Sequence, residues 1–135
     1  METKLQRPRV VLAEQNEQIL RNISGIVQQH CEVVEEVRDG EGAIEAVLRM
    51  QPDLIVLDIP LLTLDGIQVV RRLRALKNTC PVLMLTGFED HDYIDAAIAA
   101  GANGFVFKRI MGRDLLLAIR EVLAGRTFVS THPGN

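Results

Sequence analysis

The chain has 135 residues, 47% of them hydrophobic, with 15 basic against 18 acidic side chains and a formal net charge of −3. That length suits a single domain with a buried core, and the slightly acidic balance leaves no electrostatic footprint for nucleic acid across the chain. The uncharged apolar stretches fall far short of a bilayer span, and the N-terminal METKLQRP lacks the apolar core of a signal peptide. Cys31 and Cys80 show no metal-ligand spacing and are expected to be reduced, half-buried packing residues, which makes the cytoplasm the expected compartment.

In chain order, five short apolar runs alternate with five helical patterns. The strands are expected over 9–13, 31–37, 54–58, 82–86 and 104–108, and the helices over 17–29, 41–50, 66–77, 90–100 and 112–124. In the last helix Leu115, Leu116, Ile119, Val122 and Leu123 form one apolar stripe with a polar back. Strict alternation of strand and helix implies an α/β fold whose parallel sheet is covered on both faces and joined by right-handed crossovers. Residues 1–8 read as a disordered tail, 9–124 as the domain, and 125–135 as the start of a linker or a C-terminal tail. Arg71, Arg72, Arg74 and Lys77 make the third helix basic on what reads as a solvated face. Glu89, Asp90 and Asp92 suit the positive end of the fourth helix. His30, His91 and His132 share no ligand spacing.

Parallel sheets place ligands in the crevice at the carboxyl ends of their strands. Four of the five runs end there in polar residues: Glu14-Gln15, Asp58, Thr86 and Lys108. Asp58 can be a nucleophile, a metal ligand or the cap of a turn. Lys108 can neutralise a phosphoryl group or pair with Asp58, Thr86 can donate to a phosphoryl oxygen, and Glu14 adds charge for a divalent cation. Magnesium prefers one or two carboxylates with waters and phosphate oxygens. Phosphoryl transfer asks mainly for positioning and charge neutralisation, and an aspartyl phosphate is a known outcome of carboxylate attack.

VVLAEQN from Val10, PDLIVLDIPLLTLDG from Pro52 to Gly66, PVLMLTG from Pro81 to Gly87 and GANGFVFK from Gly101 to Lys108 together resemble the receiver domain of bacterial two-component response regulators. The resemblance spans roughly residues 9–124 and implies a flavodoxin-like, CheY-like three-layer fold, a five-stranded parallel sheet of order 2-1-3-4-5 with five helices. It implies that Asp58 accepts a phosphoryl group from a sensor histidine kinase and that Thr86 and Lys108 contact the phosphoryl oxygens. The domain would then be a phosphoacceptor switch rather than an enzyme, with change centred on the fourth helix, the fifth strand and the fifth helix. Thr86 and Phe105 match the switch positions, the aromatic turning inward on activation, although Phe105 has no hydroxyl to hydrogen-bond. The same resemblance implies a Mg2+ site at Glu14, Gln15, Asp58 and the backbone carbonyl of Pro60.

Departures from the family pattern touch that site. The usual pair of acids is Glu14-Gln15, so the position resembling the direct magnesium ligand holds a neutral amide, and weaker magnesium binding is expected. Proline stands at Pro60 rather than four residues after the acceptor, where Leu62 sits, and Arg109 follows Lys108 where many receivers have proline. Residues 121–130, EVLAGRTFVS, resemble the segment leaving a receiver of NarL/LuxR-type transcription regulators, which implies DNA contact only through a domain absent from this chain. Homodimerisation through the face of the fourth helix, fifth strand and fifth helix is a further family expectation. The competing reading is a degenerate receiver acting as a phosphorylation-independent interaction module, on the strength of Gln15 and Pro60. A haloacid-dehalogenase-type phosphohydrolase wants an acid where Pro60 stands, and a dinucleotide fold wants a glycine-rich loop where AEQNEQ follows the first strand.

Overall fold

The computed structural model describes residues 7–59, 64–87 and 91–131. Its elements run β1 (Arg9–Ala13), α1 (Glu17–Val27), β2 (Glu32–Val37), α2 (Gly40–Met50), β3 (Leu54–Ile59), α3 (Gly66–Ala75), β4 (Val82–Thr86), α4 (His91–Ala100), β5 (Gly104–Phe107), a 3-10 turn (Lys108–Ile110), α5 (Met111–Leu123) and β6 (Phe128–Val129). The sheet is parallel throughout, in the order 2-1-3-4-5-6. The first five strands stand as the sequence implies. The sixth is an addition within the stretch read as the start of a linker or tail: Phe128 pairs with Gly104 and Val129 with Phe105.

Period-two alternation divides the buried side chains of the central strands between two cores. Val11, Ile55, Leu57, Val82, Met84, Phe105 and Phe107 face α2, α3 and α4, whereas Val10, Leu12, Leu54, Val56, Leu83, Leu85 and Val106 face α1 and α5. Burial on both faces is why these strands read as unbroken apolar runs. Cys31 and Cys80 are unpaired and buried, 3% and 9% exposed, more deeply than half-buried packing residues would be.

Local signals start the helices where the sheet needs them. Asn16, Asp39 and Asp65 each cap a helix by accepting a backbone N–H from the following turn, and Asp65 with Gln68 forms a reciprocal capping box. Chain reversal between β1 and β3 opens a crevice at their carboxyl ends, since the chain leaves β1 toward one edge and returns on its other side.

One member of the supposedly solvated basic face behaves otherwise. Arg71, Arg72 and Lys77 are exposed, but the Arg74 guanidinium donates to the carbonyls of Asn78 (3.0 Å), Cys80 (2.9 Å) and Gly101 (2.8 Å) and to Asn103 Oδ1 (3.0 Å). Burial pushes its pKa down. Asn103 Oδ1 also accepts from Val82 N at 2.9 Å, so one guanidinium ties the end of α3 to the start of β4 and to the α4–β5 loop. Gly101 sits at φ +117, and a Cβ there would lie 3.0 Å from Arg74 Nε, so this position needs glycine for conformation and for space. Arg74→Ala is expected to cost about 2–4 kcal/mol in urea unfolding, because it strands several carbonyls. Arg74→Lys is expected to recover less than half of that, since an ammonium lacks the planar fork; full recovery by lysine would contradict the clamp.

Candidate functional site

Strand ends at the carboxyl edge bring the candidate side chains together. Glu14 follows β1, Asp58 lies near the end of β3, Thr86 ends β4, and Lys108 follows β5. Glu14, Asp58 and Thr86 are 1%, 2% and 1% exposed, so the site lies sunk below the rim. Lys108 Nζ stands 2.5 Å from Asp58 Oδ1 and 3.4 Å from Glu14 Oε1. Glu14 Oε2 accepts the backbone N–H of Asn16 at 3.0 Å, which turns its other oxygen toward the lysine.

Two buried carboxylates served by one ammonium are electrostatically unbalanced. Glu14 Oε1 and Asp58 Oδ1 accept no hydrogen bond of regular geometry, so the approach of Lys108 is a charge contact that leaves acceptor capacity unused. Burial pushes the Asp58 carboxyl up, the neighbouring Glu14 carboxylate pushes it further, and Lys108 pulls it back, leaving it raised to about 7. On α4, Tyr93 is pushed up to about 12 by its own burial and by Asp65 and Asp58.

Receiver domains bind Mg2+ at their phosphorylation site, and the donors here fit a hard cation: two carboxylates with orphaned buried oxygens and the amide oxygen that Gln15 can offer. Gln15 is half-buried, and its backbone carbonyl accepts from Arg38 Nε at 2.9 Å, which links the β1–α1 and β2–α2 loops at the mouth of the site. Among the described residues no cluster of three or more His, Cys, Asp or Glu side chains is placed to hold a metal by itself. Pro60, Leu62, Glu89 and Asp90, singled out in the sequence, lie outside the described residues.

Phe105 is fully buried among the side chains facing α2, α3 and α4. The ring thus already lies inward in this structure. Arg109 is exposed and lies 6.0 Å from the centre of the Phe107 ring, a cation–π distance. Sequence reasoning missed Arg38 and a buried pair, Asp114 and Ser130, beside β5. Only the apolar stripe around Asp114 was visible, and a polar residue next to such a stripe reads as the helix's outer face.

With this geometry in place, the comparisons with known proteins agree on the class. Residues 10–120 match the response regulator receiver domain family, and the chain belongs to it. It is 32% identical to the transcriptional regulatory protein PrrA of Mycobacterium tuberculosis over 132 residues, 97% of this chain and 56% of that protein. It is 29% identical to the oxygen regulatory protein NreC of Staphylococcus epidermidis over 124 residues, 90% of this chain and 57% of that protein. The crystal structure of a LuxR-family two-component response regulator from Aurantimonas sp. SI85-9A1 superposes with a TM-score of 0.87 at 26% identity, covering 91% of this chain and 89% of that one. The chain thus spans little more than half the length of these curated relatives. Among the described residues no helix is long and apolar enough to cross a membrane.

The raised carboxyl has a consequence for stability. In the native state Asp58 keeps its proton up to about pH 7, whereas in the unfolded chain it releases it near 3.8. The native state binds more protons across that window, so stability is greatest below it and falls as pH rises toward 7. Asp58→Asn removes the buried charge and is expected to stabilise the protein at pH 8 by on the order of 2 kcal/mol, with little gain at pH 4. Urea unfolding at the two pH values checks this, and equal effects at both would contradict it.

Proposed function

We propose that Asp58 is the phosphoacceptor of this receiver domain and that a histidine kinase is its donor. The observation that carries the reading is the Lys108 ammonium, 2.5 Å from one buried carboxylate and 3.4 Å from a second. An oxygen of the Asp58 carboxylate attacks phosphorus. The new O–P bond forms as the bond from phosphorus to the donor nitrogen breaks, and the imidazole leaves with that electron pair. With acetyl phosphate the leaving group is acetate. Lys108 supplies positive charge to the phosphoryl oxygens and Thr86 a hydroxyl, both from strand ends that need little reorganisation. Asp58, Glu14 and Gln15 would hold magnesium, with the Pro60 carbonyl as the family's further ligand; when bound it neutralises charge on the phosphoryl oxygens. The amide at Gln15 supports weaker magnesium binding than an acid would give.

The switch is assigned to Thr86, with α4 as the element that responds. In α4 only Ile94 and Ala97 are fully buried, so its docking is shallow and its equilibrium easily biased. Phe105 contributes by packing, from inside the core. Output through transcription is supported by the names of the similar proteins, with DNA contacted by a domain other than this one. A homodimer on the expected face would rest on α4, β6 and α5, because every residue of β5 is buried and β6 covers its edge. A cytoplasmic location agrees with a kinase as donor.

The alternative, a phosphorylation-independent interaction module, is favoured by one feature: the neutral amide of Gln15 stands where an acid is usual. Intact-protein mass after incubation with acetyl phosphate, with and without magnesium, separates the two. A magnesium-dependent phosphoryl adduct that Asp58→Asn lacks is expected, and Gln15→Asp is expected to reach half-maximal labelling at lower magnesium. No adduct at any magnesium concentration would overturn the phosphoacceptor reading in favour of the module.

A further inference from the structure

β5 is four residues long, and Lys108 is the first residue beyond it. The position of its ammonium therefore depends on how the end of β5 is held. On one side Phe107 pairs with Thr86 of β4. On the other side the β6 ladder stops at Phe105, two residues short of Phe107. The chain completes that edge with a side chain: Ser130 Oγ accepts the Phe107 N–H at 3.2 Å, while Ser130 N donates to Phe105 O at 2.9 Å. The Ser130 hydroxyl donates a hydrogen bond to Asp114 Oδ2 at 2.7 Å. A hydroxyl that donates in one direction and accepts from another has a fixed orientation.

Asp114 is equipped to anchor that hydroxyl. It sits in the first turn of α5, where the helix dipole favours a carboxylate. Arg113 donates to both its oxygens, at 2.7 and 3.1 Å, and also to Thr131 O at 3.2 Å. The guanidinium and the Ser130 hydroxyl hold the Asp114 carboxyl below the usual carboxylate range. Asp114 and Ser130 are each 4% exposed, too deep for a merely solvated pair. A chain of bonds thus runs from α5 through Ser130 to the backbone N–H of Phe107, the residue before Lys108.

We infer that Asp114 and Ser130 are positioning residues for Lys108, so that the segment following α5 sets how well Lys108 serves Asp58. The inference rests on the proposed roles of Asp58 and Lys108. It gives β6 a task beyond covering a sheet edge: a pull on the segment after Ser130 is felt at the phosphoacceptor, and by linkage a change at the phosphoacceptor is felt there.

A double-mutant cycle tests it. The rate of Asp58 phosphorylation by acetyl phosphate is measured for wild type, Ser130→Ala, Lys108→Ala and the double variant, each below its own unfolding transition. Ser130→Ala is expected to slow phosphorylation about tenfold when Lys108 is present and less than about twofold when it is not, since a small misplacement matters only through the displaced group. Ser130→Thr, which keeps the hydroxyl, is expected to stay near wild type, and Asp114→Asn repeats the cycle if Ser130→Ala fails to fold. An equal loss in both backgrounds, or no loss, would overturn the inference. The Lys108 Nζ resonance in 15N NMR gives a readout without phosphorylation: expected to move or broaden in Ser130→Ala and not in Ser130→Thr. Should the wild type accept no phosphoryl group, the functional reading falls, and this resonance alone decides the positioning claim: a shift sustains it and an unmoved signal ends it.

Discussion

One ammonium placed against two buried carboxylates is the constraint around which this domain is arranged. Glu14 and Asp58 lie below the rim with almost no exposure, and Lys108 is the cation that faces both. Taking two like charges out of water is costly, and a single counter-charge balances one of them. The result is a carboxyl that burial and its neighbour push upward, with oxygens left without a hydrogen-bond partner. Such a site is poor as a stabilising ion pair and good as a receptor for a cation, because added positive charge offsets the excess negative charge that folding has buried.

Polar ties flank both ends of β5, the strand that leads to Lys108. The strand ends fix three of the side chains directly, since each belongs to the sheet or to the residue after it. The remaining freedom lies at the far side, where β5 is short and the α4–β5 loop must turn sharply. Arg74 secures that loop from behind by its bonds to Gly101 and Asn103, and Ser130 with Asp114 secures the other end of the same strand. Polar ties of this kind occur where the apolar core thins, at loops and sheet edges that hydrophobic packing alone leaves loose. Between them α4 is the least deeply seated helix, with only Ile94 and Ala97 buried.

The legible part of the fold and the site had a common cause. Strands buried on both faces announce themselves as apolar runs, so β1 and β4 were bounded to the residue, and the polar residue ending each run marked the rim. Glu14, Asp58 and Lys108, which the structure brings together, were readable by that rule before any contact was known; Thr86, found buried at the end of β4, was readable the same way. β6 was not readable: two residues carry no periodicity, and its pairing is set by a neighbour 24 residues back. Arg74 was misread because its place on a helix suggests solvent, while two of its four partners, Gly101 and Asn103, lie on a loop 27 and 29 residues away. Asp114 was overlooked for a similar reason, as a single acid beside an apolar stripe has no local sign of burial.

The central claim is that Asp58 is a buried carboxyl set against Glu14 and restrained by Lys108, and carbon-13 NMR of its side-chain carboxyl reads that directly. Titrated in the absence of metal, the Asp58 signal is expected to change near pH 7, and at a still higher pH in Lys108→Ala. A midpoint near the ordinary aspartate value, unmoved by the loss of Lys108, would contradict the account.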